Sequence, residues 1–151
     1  MKYACLVVFV MISTPALFSM GITATGDWDL NIDETNLTGG PGSDIEATYD
    51  SANNQTTINI FRLGQQSTSW RVDINKVDQT WHSGFTVYAQ RTSGGVTGGT
   101  TYQEITDTAR EFFHGTGNVS NIQIQYRLSG VSLQVPAATY SIEVYYTLVY
   151  Q

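Results

Sequence analysis

The sequence predicts an all-β protein, an antiparallel β-sandwich of seven to nine short strands. Three observations carry that expectation. Stretches such as Asn121–Ser129 and Tyr140–Gln151 alternate apolar and polar residues, the period at which side chains share one face of a strand. Clusters of Gly, Asn and Ser punctuate the chain at short intervals. No stretch reads as a long helix, so strands must supply both layers of the core.

The first element is a leader. Lys2 precedes the apolar run Ala4–Ile12, which gives way to Ser13, Thr14 and Pro15. A charged start, a short apolar centre and a small-residue exit describe a secretory signal peptide, expected over residues 1–21 with cleavage between 19 and 24, after Gly21 or after Ala24. The run is too short for a comfortable membrane-spanning helix. Cys5 is the only cysteine and falls inside the leader, so the processed chain has neither a disulfide nor a thiolate metal ligand. About 130 residues then remain, enough for one domain with its own core.

Residues 22–33 come next. Ile22, Ala24, Gly26, Trp28, Leu30 and Ile32 fall on one face, and Thr23, Thr25, Asp27, Asp29 and Asn31 on the other, which predicts one long strand that is either the first strand of the domain or an arm. Residues 34–43, with Gly39-Gly40-Pro41-Gly42, form a glycine-rich linker, because that run does not sit inside a strand. The sandwich domain proper is expected over 44–151. Asp44–Asp50 and Thr56–Leu63 flank the turn-forming Ser51–Gln55 and read as a hairpin.

Thr68–Val77 carries Trp70, Val72 and Ile74 on one face, and Gly84–Arg91 points Phe85, Val87 and Ala89 inward. Thr92–Thr100 is a glycine-rich loop. Tyr102–Phe113 is less regular, with a short strand near Tyr102–Ile105 and a turn or strand bearing Phe112 and Phe113. Ile122, Ile124, Tyr126 and Leu128 mark one face of the next strand. The last strand aligns Tyr140, Ile142, Val144, Tyr146, Leu148 and Tyr150. β-branched and aromatic residues fill it, and so apolar a strand needs cover from other strands or from another molecule.

Charge narrows the functional classes. With Lys2 set aside, six basic residues (7 − 1) oppose thirteen acidic ones, and the basic residues are scattered singly, which excludes nucleic acid as the partner. No catalytic constellation is present: His82 and His114 read as loop histidines, no G-x-S-x-G turn occurs, and the 92–100 loop has no lysine for a phosphate cradle. No catalytic, cofactor or metal residue is therefore assigned. Asp27, Asp29 and Asp33 alternate on one strand face and read as a solvated polar surface in preference to a calcium site. Trp28 and Trp70 belong to the core by parity, which leaves Trp81 and Tyr102 as aromatic candidates for contact with a glycan.

The run Ile122–Tyr150 resembles the closing strands of bacterial fimbrial subunits, of the chaperone–usher and spore-coat-protein-U-like types. Pro136, Ala137, Thr139, Tyr140, Ser141 and Tyr150 carry the likeness, which covers about a fifth of the chain. The resemblance implies an immunoglobulin-like, pilin-like sandwich that lacks one strand, so that its last strand borders a groove. A periplasmic chaperone and then the N-terminal arm of another subunit would fill that groove by strand addition. It implies a non-enzymatic structural subunit of an extracellular filament (a fimbria or pilus) or surface coat, reaching the cell surface through the periplasm with the help of an outer-membrane usher. Self-association would be head-to-tail, a contact that propagates instead of closing. The expected donor residues are Ile22, Ala24, Trp28, Leu30 and Ile32. The expected acceptor residues are Ile142, Val144, Tyr146, Leu148 and Tyr150. The chain departs from the family in lacking a disulfide, and Trp28–Ile32 reads equally well as the domain's own first strand. In that case the alternative is a monomeric carbohydrate- or surface-binding sandwich.

Overall fold

A computed structural model describes residues 8–11, 20–39, 42–62 and 68–151. Most of the expected leader, Gly40 and Pro41 of the linker, and Leu63 at the end of an expected strand lie outside these residues. The described chain is β-structure in two sheets, antiparallel at every strand pair but the one between the first and last strands. In order it forms β1 (Val8–Met11), β2 (Met20–Thr25), β3 (Thr48–Asp50), β4 (Thr56–Arg62), β5 (Ser69–Thr80), β6 (Thr86–Arg91), β7 (Gln103–Glu104), β8 (Arg110–Thr116), β9 (Val119–Ser129) and β10 (Ser141–Tyr150). One sheet runs β1-β10-β5-β8; the other runs β2-β4-β9-β6-β7, with β3 also on β9.

The core forms where the inner faces of the two sheets meet. Val144 and Tyr146 of β10 and Trp70 and Val72 of β5 face Ile58 of β4, Ile124 and Tyr126 of β9 and Val87 of β6, all buried. Strict alternation produces this, since period two sends every second side chain of each strand inward. On β8 a shift of register beside Val72 and Asp73 lets the consecutive Phe112 and Phe113 both reach the core.

Two expectations are corrected. Residues 44–63 are not a hairpin. Thr48 lies opposite Ser129 and Asp50 opposite Arg127, while Thr56 lies opposite Ile124 and Ile58 opposite Ile122. β6 occupies the other side of β9, so β3 and β4 follow each other along one side, in one direction, as a single interrupted strand. Ser51–Gln55 leaves the sheet and returns to it. Its start is tied down, because Ser51 N donates to Tyr126 O at 2.9 Å and Tyr126 N donates to Ser51 Oγ at 2.8 Å. The ten segments thus fill nine strand positions.

The strand expected over residues 22–32 stops at Thr25. Gly26 adopts φ +114°, and a Cβ there would lie 2.1 Å from Gln55 O, so the backbone turns at a point only glycine can occupy. Trp28 and Ile32 are nonetheless buried. Beyond them Asp33 caps a 3-10 turn, Glu34–Asn36, accepting from Thr35 N at 2.9 Å and from Thr35 Oγ1 at 2.6 Å. Thr38 N and Oγ1 both donate to Asp44 O at 2.8 Å, which pins the two ends of the glycine-rich linker together.

The order β2–β4–β9–β6 is the A–B–E–D order of immunoglobulin-type sandwiches, and β5–β10 is their C–F pair. In that scheme a G strand lies on the far side of F. Here the place beside β10 holds β1, and no strand from described residues of 20–151 takes it.

Candidate functional site

β10 has two unlike sides. Toward β5 it pairs antiparallel along its whole length, from Ser141 opposite Thr80 to Tyr150 opposite Trp70. On the other side β1 runs parallel to it, from Val8 opposite Ile142 to Met11 opposite Tyr145. Past Tyr145 that side meets no strand among the described residues. Of the expected acceptor residues, Ile142, Val144, Tyr146 and Leu148 are buried and Tyr150 is 40 % exposed. Their side chains build the inside of the sandwich. The β10 backbone on this side is met by β1 up to Tyr145, and backbone N–H and C=O groups along any strand edge need partners.

The inner face of β10 is wired to the N-terminal segment by a buried chain of hydroxyls. Thr56 Oγ1 has one proton and gives it to Gly26 O at 2.9 Å. Tyr126 Oη, 2.9 Å from Thr56 Oγ1, must then donate to it, and Tyr146 Oη, 2.8 Å further on, donates to Tyr126. Each phenol so finds a partner in a dry core. Burial pushes the Tyr126 phenol up to about 12, opposed by its bonds to Thr56 and Tyr146, and burial raises Tyr146 as well. The indole of Trp28 stacks on Tyr126 with the rings 6.3 Å apart and 9° from parallel.

The expected donor residues serve their own chain in this structure. Ile22 and Ala24 lie in β2, antiparallel to β4 and opposite Ile60 and Ile58. Ile22, Trp28 and Ile32 are buried, and Ala24 and Leu30 pack half-buried against the same core. β2 and β10 also touch, so the outer strand of one sheet borders the β10 edge of the other.

The remaining candidates separate. Tyr102 is no open platform, because the Arg127 guanidinium lies 4.0 Å from its ring centroid. Arg127 itself grips Asp50 with two parallel hydrogen bonds of 2.6 and 2.7 Å, which hold the Asp50 carboxyl below its usual range. Trp81 lines a cleft of about 340 Å³. His82 sits in the turn before β6, packed between Phe85 and Tyr140. His114 belongs to strand β8, not to a loop, with Nδ1 2.7 Å from Glu111 Oε1. Asp33 is occupied by its cap, which keeps its carboxyl ionised to lower pH, chiefly through the Thr35 hydroxyl. Among the described residues no group of three or more His, Cys, Asp or Glu is placed to hold a metal ion.

The hydroxyl chain escaped the sequence reading, although a signal for it was present. Tyr126 and Tyr146 sit at inward parity, and an inward tyrosine needs a buried partner for its hydroxyl. No protein-family model matches the chain, and no curated protein matches it in sequence.

Proposed function

We propose that this chain is a structural subunit of an extracellular filament or surface coat, and that its β10 edge accepts a strand from another polypeptide. One observation carries the reading: among the described residues, the place of the immunoglobulin G strand, beside β10, is taken only by residues of the expected leader. Once that leader is removed, β10 keeps one edge that no strand from described residues of 20–151 pairs, over a largely apolar inner face. Such edges are the template for strand addition.

The geometry bears on the donor as well. Withdrawing Ile22, Trp28 and Ile32 from their own core forfeits about 1.5–3 kcal/mol for each large side chain. Together that approaches the whole stability of an ordinary domain. A subunit that donated Ile22–Ile32 would lose the strand that covers its own β4. A segment of another copy that fills the β10 edge therefore has to leave its own core first, so donation of Ile22–Ile32 would compete with the chain's own β2–β4 pairing. A chaperone that covers the edge during passage through the periplasm suits the same reading.

The test is self-complementation. A turn and a strand-length apolar segment are appended after Gln151, so that the edge is filled in cis. The processed, secreted protein should form polymers visible by electron microscopy and sedimentation, and the appended form should remain monomeric with a higher melting temperature. A processed protein that stays monomeric at high concentration, with no stability gained from the added strand, would sink the reading in favour of a closed sandwich.

A further inference from the structure

We propose that the cleft beside Trp81 binds a neutral saccharide. The cleft is separate from the β10 edge: its walls come from the second half of β5, the turn into β6, and the segment 104–107. That segment bridges the two sheets, with Ile105 N donating to Val87 O at 2.9 Å and Lys76 N donating to Thr106 O at 2.8 Å. The floor is thus held by backbone from both layers. At about 340 Å³ it falls at the small end of ligand pockets, the size of one or two sugar rings.

The lining suits a polyol. Trp81 is a fixed apolar wall: its Nε1 donates to Phe85 O at 3.3 Å, and its ring meets Phe85 edge-on at 5.4 Å. A pyranose presents an apolar C–H face to such a ring and hydroxyls around its rim. Asp78, Glu104 and Asp107 supply carboxylates, which accept from adjacent hydroxyls more strongly than neutral oxygens do. The Lys76 ammonium, with three N–H donors, can donate to a ring or hydroxyl oxygen, while the Thr106 hydroxyl, which donates to Thr108 O at 3.1 Å, can accept.

The same residues exclude charged ligands. Lys76 is paired with Asp78, so Glu104 and Asp107 leave the cleft negative and unreceptive to anions. The Lys76 ammonium, 5.7 Å from the Trp81 centroid, repels a second cation brought to that ring. A neutral, hydroxyl-rich ligand answers both constraints. The cleft shares no lining residue with β10, so a subunit whose edge is filled still presents it.

The experiment is saturation-transfer NMR on the full chain with glucose, galactose, mannose, N-acetylglucosamine and lactose, with sialic acid and lysine methyl ester as charged controls. At least one neutral sugar should show transfer, with an affinity in about the millimolar range. Trp81→Ala should abolish it. Because Trp81 also packs on Phe85, the exposed Glu104→Gln and Asp107→Asn variants are measured alongside. Each should weaken binding by about tenfold, as a charged acceptor becomes a neutral one, with the melting temperature unchanged. Absence of transfer from every neutral sugar, a preference for either charged control, or binding indifferent to all three substitutions would overturn the proposal. Polymerisation is read separately, so failure here leaves the β10 reading standing, and the reverse.

Discussion

Two strand edges lie side by side in this molecule, and they are covered in opposite ways. The β4 edge is closed by β2 in six antiparallel pairs, from Met20 opposite Arg62 to Thr25 opposite Thr57, with Ile22 driven into the core. The β10 edge is met by β1 over only four residues, in the parallel sense, by a segment that processing is expected to remove. If the expected leader is removed, the second cover goes with it, whereas the first loses only Met20 and Gly21 and keeps Ile22 in the core. On the reading proposed above, such a sandwich completes one sheet itself and leaves the other to be completed from outside.

The comparison breaks most severely if residues 22–32 are deleted. As intrinsic cover they carry Ile22, Trp28 and Ile32, so the deletion should abolish cooperative unfolding in a urea titration followed by circular dichroism. A deletion that left a stable, soluble domain would make β2 as dispensable as β1. Next in size, Trp28→Ala should cost about 3–5 kcal/mol, because it empties the site stacked on Tyr126. Tyr126→Phe should cost about 1–3 kcal/mol, read from denaturation midpoints, since it strands the Tyr146 hydroxyl while Thr56 keeps its bond to Gly26 O.

The same pair sets an alkaline limit. The folded-state pKa of Tyr126 lies above the unfolded value, so folding favours the protonated phenol. The associated stability is fully present below about pH 10 and is lost as pH rises through about 12. Alkaline unfolding should begin above pH 10, and the double variant Tyr126→Phe/Tyr146→Phe should flatten that pH dependence even though it is less stable at neutral pH. The smallest effect concerns processing. Cleavage after Gly21 keeps the buried Ile22, whereas cleavage after Ala24 removes most of β2, so mass spectrometry of the secreted protein should find Ile22 at the N-terminus.

Parity was legible wherever a strand runs straight. The inward sets of β6, β9 and β10 follow from alternation alone, as does the burial of Trp70, whereas Trp28 is buried past the end of β2, where no strand carries the alternation. What alternation does not carry is where the chain turns in space. Ser51–Gln55 has the composition of a reversal, yet an excursion that rejoins its own line needs the same residues; only the register against β9 tells them apart. Gly26 was visible as a glycine, but its role depends on Gln55 O, brought there by the interrupted strand. The cleft at Trp81 was half visible. The sequence offers the aromatic ring, while Glu104 and Asp107 arrive through the bridging segment, which shows no periodicity to read.

The interruption between β3 and β4 has a practical use. Ala52, Asn53 and Asn54 are exposed, and the excursion is anchored at both ends, by Ser51 on Tyr126 and by the Gln55 side chain on Asp27 O. Loop length is thermodynamically inexpensive when the ends are already held close. An epitope or affinity tag spliced between Asn53 and Asn54 should therefore be carried without disturbing the ladder on either side. If copies join through β10, such a graft would be displayed at regular intervals along the assembled fibre.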